Sequence, residues 1–142
     1  MATKTSPIYF LPSLFTTLNN YIALERGHRM QASAVKNQET TLVMAIAREQ
    51  GWEPLDMVWP VKANFMWIRP DALTDMDNIA FSAKFVLDGL VRSGILPDDD
   101  HSVVVGMEHW YVVDGREPGL LVWFESVSQS PKAYPILKAK SI

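Results

Sequence analysis

The chain has 142 residues, of which 48% are hydrophobic, with five Trp, no Cys and a net charge of −3. This length fits one domain with a substantial core, and the absence of Cys excludes a disulfide framework and thiolate chemistry. The apolar runs are shorter than the ~18 residues of a membrane helix, and the N-terminal apolar stretch is cut at Pro12, unlike a secretory signal. We therefore expect no membrane span and a cytoplasmic location.

The charges are unevenly distributed along the chain. Residues 1–69 carry an excess of two positive charges, residues 70–125 an excess of eight negative charges, and residues 126–142 only three positive charges. The central acids include Asp75, Asp77, Asp98, Asp99 and Asp100. Bound divalent metal would cancel their charge, so the acidic balance does not exclude a polyanionic substrate.

The first half of the chain predicts a strand, an ambiguous segment, a helix and a second strand. The stretch "SPIYFLPSL" predicts a strand that stops at Pro12, and "FTTLNNYIALERGHRM" allows a loop or a short helix that breaks near Gly27. A helix is predicted from a Ser33 cap to a stop at Gly51. The stretch "VKANFMWI" alternates as a strand does, and one face of this strand carries Val61, Ala63, Phe65 and Trp67.

The second half predicts one helix and two strands. Residues 77–93 have the pattern of a helix that ends at Gly94, and residues 102–113 and 119–125 have the pattern of two strands. The Asp114-Gly115 turn between them favours an antiparallel hairpin. The order β-α-β-α-β-β predicts a single α+β domain over residues 1–125, a mixed sheet with two main helices packed on it, and a Ser/Pro/Lys tail over residues 126–142.

The stretch "DMDNIAFSAKFVLDGLVRSGILPDDD", residues 75–100, concentrates Asp residues around the second helix. On a helical wheel Asp77, Lys84 and Asp88 share the face opposite the apolar stripe. One interpretation is a capped surface helix with a Lys84–Asp88 pair and a solvated turn. The other is a site for Mg²⁺, which prefers carboxylate oxygens. An EF-hand is excluded, because its loop requires an oxygen ligand and a Gly where this chain has Ile79 and Ala80.

This stretch resembles the RusA family of Holliday junction resolvases, common in bacteriophages and prophages. The family motif is Asp-x-Asp-Asn, a helix with a Lys, an Asp-x-Leu, a Gly-containing turn and a paired Asp-Asp, written here as "DMDNIAFSAKFVLDGLVRSGILPDD". The segment "LPSLFTTLNNYIALER" is similar to the family's opening strand and Asn-x-Tyr loop, and "AVKNQET" to the start of its first helix. The resemblance extends from about residue 8 to residue 125 and leaves out the tail.

The resemblance implies the functional residues. Asp75, Asp77 and Asp99 match the catalytic Asp residues, with Asp98 beside them, and Lys84 matches the active-site Lys. Asp75, Asp77, Asp98 and Asp99 would hold Mg²⁺, for which Mn²⁺ would substitute. The positions expected to contact DNA are Asn19, Tyr21, Arg26, Arg29 and Lys36, with Lys132, Lys138 and Lys140 of the tail. Lys84 departs from the family's shorter branch, where the Lys lies about one helical turn closer to the Asp-x-Asp-Asn.

The resemblance implies a Mg²⁺-dependent, dimeric endonuclease that resolves four-way DNA junctions by paired phosphodiester hydrolysis in recombination and repair, in the cytoplasm of a bacterium or a phage-infected host. The alternatives are a junction-binding accessory protein without cleavage and a nuclease acting on other branched or flapped DNA. A helix over residues 77–93 would be about 25 Å long. Asp98 and Asp99 would therefore reach Asp77 only if residues 94–99 ran back along the helix, or if a second subunit supplied them; the sequence allows both.

Overall fold

The protein is described by a computed structural model, which covers residues 4–27 and 29–127. His28 and the tail lysines Lys132, Lys138 and Lys140 lie outside these ranges. The elements, in chain order, are β1 (Tyr9–Leu11), α1 (Leu18–Gly27), α2 (Arg29–Glu49), β2 (Val61–Arg69), α3 (Met76–Ala80), α4 (Ala83–Arg92), β3 (Val104–Val113) and β4 (Gly119–Ser126). The predicted α+β class with a mixed sheet is confirmed. In the described part of the chain, every helix is too short or too polar to cross a bilayer.

The four strands form one sheet in the order β1-β4-β2-β3. Strand β2 runs parallel to β3 and antiparallel to β4, and β4 also pairs antiparallel with β1. The predicted hairpin of β3 and β4 is therefore wrong, because β2 lies between them. The connection after β3 crosses the end of β2, where the Asp114 N–H donates to the Arg69 carbonyl at 2.8 Å.

The central position of β2 explains its composition. Val61, Ala63, Phe65 and Trp67 are buried on one face, as their alternation predicted. They pack in one core with Val122 of β4 and with residues of α2 and α4. The residues of β2 between them face the other side of the sheet, where Lys62 and Met66 are half-buried and Asn64 is fully buried. That side, the open face, presents the side chains of Phe10, Met66, Ile68, Trp110, Val112, Leu121 and Trp123.

The predicted start of the first long helix needs correction. Helix α2 begins at Arg29, so Ser33 is an exposed interior residue and not a cap. The predicted end is confirmed, since Gly51 has a positive φ of 69° just after α2. The ambiguous segment forms α1, which ends at Gly27.

The predicted helix over residues 77–93 is divided into α3 and α4 at Phe81 and Ser82. The Ser82 side chain is fully buried, and its hydroxyl donates a hydrogen bond to the carbonyl of Thr16. A Ser hydroxyl that bonds to distant backbone competes with regular helical geometry. The apolar stripe of α4 is nevertheless as predicted, because Ala83, Val86, Leu87 and Leu90 are all buried.

Candidate metal and DNA site

The first acidic group lies where the chain leaves β2 and begins α3. Asp75 has an extended backbone (φ −71°, ψ 153°), and its carbonyl accepts the N–H groups of Asn78 and Ile79 at 3.1 and 3.2 Å. Its carboxylate makes no capping hydrogen bond, and both Asp75 and Asp77 are exposed. The backbone alone therefore starts the helix, and the two carboxylates face solvent one residue apart.

Helix α1 is joined to this group by an asparagine pair. The Asn19 N–H donates to Asn78 Oδ1 at 3.0 Å, which satisfies one of the amides left without a partner in the first turn of α1. The ring of Tyr21 packs on Phe81 and Phe85, with centroid distances of 5.2 and 5.7 Å. Asn19 is thus brought beside the acidic group, whereas Tyr21 has a packing role that the sequence did not suggest.

The basic residues expected at DNA occupy the junction of α1 and α2 and the face of α2. Arg26 and Arg29 are exposed and line a shallow groove of about 290 Å³ together with Ile22 and Glu25. Lys36 lies about two turns after Arg29 along α2 and is half-buried. Trp52 packs edge-on against Tyr9 at 4.7 Å, and Trp59 packs against the core.

Lys84 lies in the first turn of α4 and points away from the core. Its side chain is 63% exposed, and its Nζ is 3.9 Å from Asp88 Oδ2, in an i,i+4 pair. An exposed pair of this kind contributes little to stability. The ammonium group is therefore available to a ligand at small structural cost.

The second acidic group is a compact turn before β3. The Asp98 carboxylate accepts the Asp99 N–H at 2.7 Å, and Asp100 Oδ1 accepts the N–H and the hydroxyl of Ser102 at 2.9 and 2.5 Å. The bonds from Ser102 lower the pKa of Asp100. Asp100 therefore shapes the turn, while Asp99 is exposed with no such contact among the described residues.

The two acidic groups lie at opposite ends of β2. Val61 pairs with Val104 and Arg69 with Val113, so the turn before β3 is at the start of β2 and Asp75 follows its end. Nine residues of strand span about 27 to 30 Å. The chain after α4 stays near the start of β2, away from Asp75, and there the Leu55 N–H donates to the Ile95 carbonyl at 3.0 Å. Residues 94–99 do not run back along the helix.

The four predicted metal ligands are thus divided into two pairs within one chain. Across residues 4–27 and 29–127, no three carboxylate or imidazole side chains lie together as a set that could hold a metal ion. Asp75 and Asp77 by themselves fit Mg²⁺, which is commonly held by one or two carboxylates together with waters and substrate phosphate.

A buried carboxyl group on α2 was missed by the sequence analysis. Glu39 Oε1 accepts the Thr16 N–H at 2.5 Å, and Oε2 is buried without a hydrogen-bond partner among the described residues. Burial raises the pKa of Glu39 to about 7, although the Thr16 N–H lowers it. Its polar neighbours in sequence, "KNQE", resemble a solvated helix face, so no local signal marks it.

No protein-family model matches the chain, and no curated protein matches it.

Proposed function

We propose that this protein is a Mg²⁺-dependent, structure-selective endodeoxyribonuclease that resolves four-way DNA junctions, as its resemblance to the RusA family implies. One observation carries the proposal. Asp75 and Asp77 present two exposed carboxylates at the start of α3. The Asn19–Asn78 hydrogen bond holds the start of α1 beside them, and the chain reaches Arg26 and Arg29 at the other end of this helix. Acids for metal therefore lie beside the start of α1, and bases for phosphate follow at its end, about 10 Å along the helix axis.

In this proposal each group has a distinct role. Asp75 and Asp77 hold Mg²⁺, which when bound supplies charge stabilisation to the phosphoryl group and activates the attacking water. Lys84 offsets negative charge on the scissile phosphate. Arg26, Arg29 and Lys36 contact the DNA backbone and set its position, without reading sequence. Asn78 keeps α1 in place through Asn19.

A homodimer fits the proposed substrate. A four-way junction is roughly two-fold symmetric, and resolving it requires two nicks on opposed strands. The chain has one set of matched Asp residues, so a C₂ dimer supplies two sites at a fixed spacing. The proposed location is the cytoplasm of a bacterium or a phage-infected host, where such DNA is found.

The test is a cleavage assay on three substrates. Purified protein with Mg²⁺ or Mn²⁺ is incubated with a four-way junction, a flap and a linear duplex of matched sequence. Paired nicks in the junction and little cutting of the duplex are expected. Preference for the flap would favour a nuclease for other branched DNA.

The separation of the acidic groups by the length of β2 favours a second candidate, a junction-binding protein that does not cleave. Such a protein would bind the junction in gel-shift assays with Mg²⁺, Mn²⁺ or Ca²⁺ and leave every strand intact. Binding without nicks at any metal concentration would select this function over the resolvase.

A further inference from the structure

Leu73 lies in the loop between β2 and α3, two residues before Asp75. Its side chain is 87% exposed, although Leu is one of the residues most often buried in folded proteins. A single exposed Leu is common at protein surfaces. This one differs because its loop is fixed on both sides and adjoins the candidate metal ligands.

Hydrogen bonds hold the loop before and after Leu73. The Leu73 N–H donates to Asp71 Oδ1 at 3.0 Å, which closes a tight turn, and the Asp71 carbonyl accepts the hydroxyl of Tyr111 at 3.0 Å. On the other side, the Asp75 carbonyl accepts the Asn78 N–H at 3.1 Å. The backbone therefore presents Leu73 to solvent from a position that is tied to β3 and to α3.

A DNA strand that reaches the carboxylates of Asp75 and Asp77 also reaches this loop. Two residues of extended chain span at most about 7 Å, and successive phosphates of one strand are about 3.4 Å apart along the duplex axis. The backbone of Leu73 therefore lies within about two base steps of a phosphate bound at Asp75.

The chemistry of the Leu side chain limits what it can contact there. It has no donor or acceptor for phosphate oxygens or base edges, so it gains from DNA only by leaving water against an apolar surface. In an intact duplex, stacking covers the faces of the bases. These faces become accessible where stacking is interrupted, and Leu is among the side chains that DNA-bending proteins insert into opened base steps.

We infer that Leu73 packs against an unstacked base at the centre of a four-way junction, and that this contact makes the protein prefer branched DNA to linear duplex. Asp71 is its positioning residue. The basic residues Arg26 and Arg29 contact the backbone of any DNA form, so they add affinity without this preference. The inference rests on the proposed substrate, and it concerns binding, whether or not a strand is then cut.

The test compares binding to a four-way junction and to a linear duplex of matched sequence, with Ca²⁺ present. The junction carries 2-aminopurine at its centre, because this base fluoresces more strongly when it is unstacked. We expect Leu73→Ala to bind the junction about 10-fold more weakly than the wild type, because less apolar surface leaves water. Its affinity for the duplex should be unchanged, and the fluorescence rise at saturation should be smaller. Leu73→Met keeps a long apolar side chain and should retain most of both effects.

Ile8→Ala is the matched control for the loss of an exposed aliphatic side chain. Ile8 has as many carbon atoms as Leu, is 64% exposed, and lines a groove with Trp52 at the β1 edge of the sheet. Its junction affinity and fluorescence should equal those of the wild type. Urea denaturation of both alanine variants should show nearly wild-type stability, since each removes exposed atoms.

The role of Asp71 is tested by two neutral variants. Asp71→Asn and Asp71→Ala both remove one negative charge, but only Asn keeps an oxygen that can accept the Leu73 N–H. We expect Asp71→Asn to retain the wild-type ratio of junction to duplex affinity and Asp71→Ala to lose part of it. A change in charge alone would alter both variants equally, which would remove Asp71 from the inference.

The outcomes separate this inference from the proposed function. A wild type that cuts junctions, beside a Leu73→Ala variant with the same junction preference and fluorescence, would overturn the inference alone. Equal weakening of junction and duplex binding in Leu73→Ala would also overturn it, because the contact would then be with duplex DNA in general. A wild type that binds junctions without cutting would refute the nuclease, and the binding ratios would still decide the role of Leu73. A wild type that binds both DNA forms equally would refute both.

Discussion

The backbone N–H of Thr16 donates to Glu39 Oε1 at 2.5 Å, and this contact ties the segment before α1 to the middle of α2. The Thr16 carbonyl in turn accepts the hydroxyl of Ser82 at the junction of α3 and α4. Thr16 therefore connects the segment before α1 both to α2 and to the junction of α3 and α4. Three residues later in the chain, the Asn19 N–H donates to Asn78 Oδ1, beside Asp77.

The Glu39–Thr16 contact predicts a pH dependence of stability. Burial raises the pKa of Glu39 from 4.5 to about 7, so the folded protein retains a proton that the unfolded chain releases. The free energy of unfolding should fall as pH rises from about 4.5 to about 7 and then level off, by about 1 to 2 kcal/mol after allowance for partial exposure. Glu39→Gln should remove most of this fall, measured by urea denaturation at pH 5, 6, 7 and 8.

Glu49→Gln is the matched control for this prediction, because Glu49 is an exposed residue at the end of the same helix. Its stability should follow that of the wild type at every pH. Equal slopes for Glu39→Gln and the wild type would show that Glu39 does not hold its proton in the folded state.

Asp77→Asn should abolish cleavage and leave DNA binding intact or improved. The substitution weakens a metal ligand and also removes a negative charge from the surface that meets DNA. We expect the cleavage rate to fall by at least about 100-fold, measured in single-turnover assays beside gel shifts. Asp56→Asn, at an exposed position paired with Lys4, is the control and should cleave normally. Cleavage by Asp77→Asn at a near wild-type rate would refute the catalytic assignment.

The choice of metal ion should separate binding from cleavage. Mg²⁺ and Mn²⁺ should support both, whereas Ca²⁺ should support binding with little cutting, because it is larger and tolerates irregular coordination. The measurement is junction binding and nicking with each ion at equal concentration. Full activity in excess chelator would exclude the metal mechanism.

The sequence predicted those features of the fold that depend on local patterns. The alternation in β2 and the apolar stripe of α4 identified buried residues correctly, because each follows from the period of its own element. The Asp114-Gly115 turn indicated a hairpin, yet β2 separates the two strands that it joins. Turn chemistry determines where a strand ends, and pairing between distant segments determines its neighbour.

The features that the sequence did not predict depend on contacts between distant residues. The break at Ser82 involves Thr16, 66 positions earlier in the chain, while the helical pattern through Ser82 is continuous. The burial of Glu39 likewise requires the segment before α1 to fold over α2. For the candidate site, the residues could be named from the resemblance, but the distance between the two acidic groups required the parallel register of β2 and β3.

Gly89→Ala should destabilise the protein at the contact of α2 with α4. A Cβ added at Gly89 would lie 2.6 Å from the Val43 Cβ and 3.0 Å from the Thr40 carbonyl oxygen. Overpacking of this kind costs about 1 to 3 kcal/mol, which exceeds the helix-propensity gain of roughly 1 kcal/mol at the upper end. Thermal or urea unfolding should show a net loss. Gly27→Ala, with no atom within 4 Å, should be nearly neutral.

Lys84→Ala should lower the cleavage rate and leave stability nearly unchanged. The side chain is 63% exposed and its 3.9 Å pair with Asp88 lies at the surface, so loss of the pair should change the free energy of unfolding by less than about 0.5 kcal/mol. Asp88→Ala breaks the same pair and keeps the ammonium group, which makes it the matched control. If Lys84 neutralises charge on the phosphate, single-turnover cleavage should fall by about 10-fold or more in Lys84→Ala and stay normal in Asp88→Ala. Equal rates for both variants and the wild type would mean that the extra helical turn places Lys84 outside the site.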